Sequence, residues 1–129
     1  MSQRFTLLQV ALVLFGATSL LLYPLAIVWP SGWAWHEGPP AASQYFMMIV
    51  GVYATLGVFI ILAARDPAAS RSLIWFAIWS SIVHSAIMAA QSLGSPMHGG
   101  HMLGDVPALL IGALALAGLM IARPPTAAR

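Results

Sequence analysis

The side chains that could bind a metal or move a proton are few in this sequence: four histidines and three acidic residues, with no cysteine. Ser81, His84, Met88 and Gln91 fall at i, i+3, i+7 and i+10, which is one face of an α-helix. Ser80, Ser85 and Ser92 flank that face. Further along, Pro96-Met97-His98-Gly99-Gly100-His101-Met102-Leu103-Gly104-Asp105 sets two imidazoles three residues apart, beside two thioethers and a carboxylate. Imidazole suits zinc, copper, iron and nickel, and thioether sulfur shifts the preference towards copper(I). His84, His98, His101 and Asp105 are therefore candidate ligands for a transition metal, copper or zinc, or for a haem. Met88, His36 and Glu37 are candidates to join them. Each residue also has a plainer role. His84 could hydrogen-bond to a serine or carbonyl of a neighbouring helix. His98 and His101 could stand in a solvated glycine loop. Asp105 could cap the helix that follows, accepting first-turn amides where Pro107 loses no helical bond. The lack of cysteine excludes disulfides, thiolate zinc sites, iron–sulfur clusters and thiol redox chemistry.

The elements that carry these residues belong in a membrane. Of 129 residues, 60% are hydrophobic and 6% charged, against roughly a quarter charged in soluble domains. So short a chain cannot bury that much apolar surface in a water-soluble core, and lipid has to cover the remainder. Four apolar stretches have spanning length, about 20 residues for a ~30 Å hydrocarbon layer. They run over approximately 5–29, 43–64, 72–93 and 105–121. The first is too long for a signal-peptide core and reads as an uncleaved helix. PSGWAWHEGPP, rich in helix breakers and interfacial tryptophans, ends it. Small or polar residues recur as stripes: Gln9, Gly16 and Tyr23 with Ser19, then Gln44, Met48, Gly51 and Thr55, then Ala108, Gly112 and Ala115. Such stripes are expected where membrane helices pack closely.

The sequence thus predicts an all-α single domain, an up-down-up-down bundle of four transmembrane helices. All five arginines (Arg4, Arg65, Arg71, Arg123 and Arg129) fall at one side of this arrangement, which the positive-inside rule makes cytoplasmic, with both termini. Their scatter gives no clustered patch for nucleic acid. Three of the histidines, with Glu37 and Asp105, fall at the other side, and His84 lies in the nearby half of its span.

Trp79-Ser80-Ser81-Ile82-Val83-His84 and Gly104-Asp105-Val106-Pro107-Ala108-Leu109 resemble a family of small four-helix bacterial membrane proteins of unknown function. The likeness runs from about Tyr45 to Leu110. It implies a bacterial inner-membrane location and no particular activity, and of MHGGHM it includes only His101.

Three functions fit these residues. One is binding of a metal or haem by the histidine and aspartate cluster. Another is acid–base catalysis on a lipid-soluble substrate by His84 with Asp105 or Glu37, since histidine titrates near neutral pH. The third is an accessory subunit, in a homo-oligomer or a larger membrane complex. A single site requires the GSPMHGGHMLG segment to fold back into the bundle, because His84 lies about 14 Å along its helix from Leu93. His84 would then come within ~4 Å of His101 or Asp105, or share one ion or water with it.

The arginine distribution generates a direct test of topology. A reporter fused after Arg129 is expected to be active only in the cytoplasm, and one inserted near Gly38 only outside. Both reporters on one side would refute the four-span arrangement.

Overall fold

The computed structural model describes residues 6–34, 38–122 and 126, and among them it is helical with no strand. The helices are α1 (Leu7–Leu20), α2 (Leu22–Val28), α3 (Pro30–Trp33), α4 (Gln44–Ala63), α5 (Arg71–Leu93) and α6 (Asp105–Ala122). Short 3-10 turns cover Pro40–Ala42 and Pro96–Met102. α4, α5 and the segment Pro96–Ala122 are each long and apolar enough to cross a membrane. The first apolar stretch qualifies only if α1 and α2 count as one span, because they meet at an angle of 58°.

That bend corrects the expectation of one continuous helix over 5–29. Pro24 stands in the first turn of α2. It has no N–H for the Leu20 carbonyl, and its ring crowds that carbonyl. The chain therefore ends α1, lets the Leu21 amide bond back to Ala17 and Thr18 at 3.0 and 3.1 Å, and restarts at Leu22.

Local chemistry fixes the helix starts. The Thr6 hydroxyl accepts from the Gln9 amide at 3.2 Å, while Gln9 Oε1 accepts from the Thr6 amide at 2.9 Å, a reciprocal capping box. Gln9 Nε2 then donates to the Ala64 carbonyl at 2.9 Å, satisfying the far end of α4. Ser43 caps α4 by accepting from the Phe46 amide at 3.2 Å.

The helices pack unequally. α1 lies closely on α4, and α5 closely on α6, while α1–α6 and α4–α5 touch far less. Gly16 and Gly57 set the first pair: a Cβ on either would come within 2.6 Å of the other's carbonyl oxygen. Backbones approach this closely only where no side chain stands between them. The largest core cluster joins all four long helices through Leu12, Ile60, Ile78 and Leu116. A smaller one holds Ala26, Ala34 and Phe46 at the other end.

The stripes meet different fates. On α1, Gly16 and Ser19 are buried, as packing requires. On α4, Gln44, Met48, Gly51 and Thr55 are all exposed, and Phe46, Gly57, Ile60 and Ala63 make the buried face instead. The Thr55 hydroxyl donates to the Gly51 carbonyl of its own turn at 2.9 Å, so it needs no partner helix. An exposed stripe whose hydroxyl is satisfied within its own helix cannot be told from an interface by spacing alone.

Gly16→Val or Gly57→Val should destabilise the fold by about 1–3 kcal/mol, the usual range for overpacking. Gly51→Ala and Gly118→Ala, where an added Cβ meets open space, should leave stability unchanged or raise it, because alanine is the better helix former. Thermal unfolding of the four variants in detergent micelles checks the contrast.

Candidate functional site

The Pro96–Met102 segment is a docked helical turn, not a solvated loop. Gly100 and Gly104 lie against the backbone of Ser31 and Gly32, where a side chain on either would collide. His101 is thereby carried inwards until 1% of it is exposed. Its Nδ1 lies 2.8 Å from Asp105 Oδ2, and its Nε2 lies 3.1 Å from the Ala34 carbonyl oxygen.

These two bonds fix the proton count. A carbonyl oxygen only accepts, so Nε2 carries a hydrogen and donates to Ala34. One further proton then lies between Nδ1 and Oδ2, whichever atom holds it. The pair is neutral as a whole, and it ties α6 to the end of α3. Asp105 itself sits one residue later than an N-cap. The Gly104 carbonyl accepts the first helical bond, from Ala108 at 3.2 Å, so Gly104 is the cap and Asp105 the first residue of α6. Its carboxylate serves His101, and Oδ1 is buried without a hydrogen-bond partner.

His84 takes a different partner. Its Nδ1 lies 2.9 Å from the Tyr53 hydroxyl, with the two rings edge to face at 5.6 Å. The hydrogen bond that His84 makes is thus to Tyr53. His84 and Asp105 do share a cavity, however. It has a volume of about 420 Å³, and Phe15, Trp33, Phe46, Tyr53 and Met88 are among its walls. The cavity lies where the packing is loose, with α1 and α4 on one side and α5 and α6 on the other. A second cavity, between α4 and α5, borders His84, Met88 and Gln91 from outside.

The serines around His84 do not reach for it. Ser85 donates to the Ser81 carbonyl at 2.7 Å and Ser80 to the Ala77 carbonyl at 3.2 Å, both within α5. His98 lies beside His101, ring centres 6.0 Å apart. His36 and Glu37 lie outside the described residues. Among the described residues, no group of three or more His, Asp or Glu side chains is placed to hold one metal ion. For His101 the reason is physical: both ring nitrogens are already engaged in hydrogen bonds, and a ligand to a metal needs a free lone pair. The metal or haem cluster expected from His84, His98, His101 and Asp105 therefore has no support in this geometry.

Two participants escape the sequence reading. Ala34 contributes only its carbonyl, which no residue type advertises. Tyr53 does carry a signal: a tyrosine hydroxyl buried in a span needs a partner, and His84 is the polar ring available within the neighbouring apolar stretch.

A model of a family of unknown function (DUF6632) matches residues 2–128. No curated protein matches the chain, and no solved structure does.

The proton count makes a specific prediction for Asp105. In Asp105→Asn the new amide can donate to Nδ1 of a neutral His101 that still donates to Ala34, so stability should be nearly kept. Asp105→Leu leaves Nδ1 buried and unpaired and should cost about 1–3 kcal/mol. Unfolding in micelles of both variants, and of His101→Leu with Asp105→Leu combined, checks this. The combined loss should fall well short of the sum.

Proposed function

The chain belongs to this family of unknown function (DUF6632), and from that premise we propose a membrane protein that binds a lipid-soluble small molecule between its helices. The observation that carries the reading is the cavity of about 420 Å³ bordered by His84 and Tyr53. Small-molecule sites are typically concave and mostly apolar, with a few convergent polar groups. This cavity has that character. The hydroxyls of Thr18 and Ser19 on its wall are spent on the Leu14 and Phe15 carbonyls of α1, at 2.9 and 3.0 Å. That leaves the Tyr53–His84 pair, with Asp105 and the indole of Trp33, as the polar features of the wall.

In the proposed arrangement the bent α1–α2 pair counts as one span, four spans alternate in direction, and both termini are cytoplasmic. Gln9 on Ala64 and His101 on Ala34 support it, since each bond joins helix ends that four alternating spans would bring together. The arginines then lie at the cytoplasmic end, and the His101–Asp105 pair at the outer end of a bacterial inner membrane. Leu14 and Ile111, on the cavity wall, are 63% and 68% exposed. They give the cavity a side facing lipid, through which an apolar ligand would enter from the bilayer. A second reading, proton transfer to such a ligand, draws on one fact: the Tyr53–His84 hydrogen bond lies at the cavity wall.

Solvent extraction of the protein purified in mild detergent, followed by mass spectrometry, tests the proposal. A lipophile is expected in near-stoichiometric amount. Ala108→Phe, which projects a ring into the cavity, should lose it while the protein stays folded. Extracts that hold only bulk lipid, or that match between the two proteins, would sink the proposal.

A further inference from the structure

We infer that the cavity ligand presents a hydrogen-bond acceptor, a carbonyl oxygen, to an N–H of His84. The inference rests on the binding reading above and adds the chemical class of the ligand. Tyr53 and His84 share one hydrogen bond, 2.9 Å between the phenol oxygen and Nδ1. A phenol has a single hydrogen to give, and leaving a half-buried donor unused is costly. His84 Nδ1 is the acceptor within reach of Tyr53. The phenol therefore donates, Nδ1 accepts, and the ring hydrogen of neutral His84 stands on Nε2. The bond made by one imidazole nitrogen sets the role of the other.

Nε2 is also within a ligand's reach. Among the described residues, the buried polar side-chain atoms left without a partner are Ser92 Oγ and Asp105 Oδ1. His84 Nε2 has no hydrogen bond from the protein and is not one of them, so it is open to the spaces His84 borders. His84 is in the wall of both cavities. An N–H donor at an apolar wall selects for an oxygen acceptor and against a molecule that brings only a donor. The lining rings of Phe15, Trp33 and Phe46 suit a flat, unsaturated body. A lipid-soluble aromatic or quinonoid carbonyl compound meets both demands. The absence of cysteine also means that such an electrophile has no thiol in this chain to attack it.

Three probes of one shape test the inference by equilibrium dialysis of the micellar protein against empty micelles: 2-methyl-1,4-naphthoquinone, 2-methyl-1-naphthol and 2-methylnaphthalene. The quinone should bind roughly tenfold more tightly than the hydrocarbon, the factor one ordinary hydrogen bond supplies, and more tightly than the naphthol. Tyr53→Phe frees the imidazole to hold its hydrogen on either nitrogen, so the quinone's advantage over the naphthol should shrink. Nitrogen-15 NMR of histidine-labelled wild type, at a pH where His84 is neutral, should find its Nδ1 bare and Nε2 protonated, with no variant required. Equal binding of the three probes, preference for the naphthol, or a protonated Nδ1 with bare Nε2 would overturn the carbonyl assignment while leaving the cavity reading intact. If no probe binds above the micelle background, the cavity reading fails together with it.

Discussion

Hydrocarbon offers no hydrogen bonds, and most of the side-chain geometry in this protein follows from that shortage. Most of the polar groups within the apolar stretches find a partner inside the chain. Thr18, Ser19, Thr55, Ser80 and Ser85 find it in the preceding turn of their own helix, at carbonyls 2.7–3.2 Å away. Gln9, Tyr53, His84 and His101 reach further, with bonds that join elements distant in the chain, and Asp105 holds His101 from four residues on. The first group affects only its own helix. The second decides which helix ends meet, and the donor proposed to meet a ligand, His84, belongs to it.

The same division governs packing. Gly16 and Gly57 bring α1 and α4 to backbone contact, and α5 and α6 make a second close pair. Among the described residues, the two-glycine contact that joins the halves of the chain, Gly32 with Gly104, lies at the end of α3 and the start of α6, and none joins the long helices of one pair to those of the other. Gly112, which could serve, meets the ring of Phe15. The space between the pairs is therefore bounded by side chains of mixed size, and their imperfect fit is the cavity. Site and looseness of packing have one origin.

Much of this is legible in the residues. Composition and the lengths of the apolar runs identify three helices over nearly the expected ranges, because burial in lipid demands an uninterrupted apolar stretch. His84 and Asp105 stand out because ionisable groups are costly in such stretches, and both border the cavity. The bend after Leu20 is hidden from hydropathy, to which Pro24 looks unremarkable, although its missing N–H is decisive for the backbone. The pairing of His84 escapes for a related reason. Residue types announce a need for a partner without naming it, so spacing points His84 towards Asp105 although a tyrosine from α4 is at hand. The docking of Pro96–Met102 is a condition set by chain length and depth, yet its anchor, the Ala34 carbonyl, has no signature in sequence.

The division into two close pairs bears on how the molecule is made. α4 is the next long helix after α1, and α6 the next after α5, so each close pair can form as its own half of the chain is synthesised. α1 and α4 can meet through Gly16 and Gly57 before α5 exists. The bonds between the pairs span long stretches of chain, 31 residues from Tyr53 to His84 and 67 from Ala34 to His101. They can close only after α5 and α6 have arrived. The cavity is consequently the last feature to come into being, and a newly made chain passes through a stage that is largely helical and without the cavity.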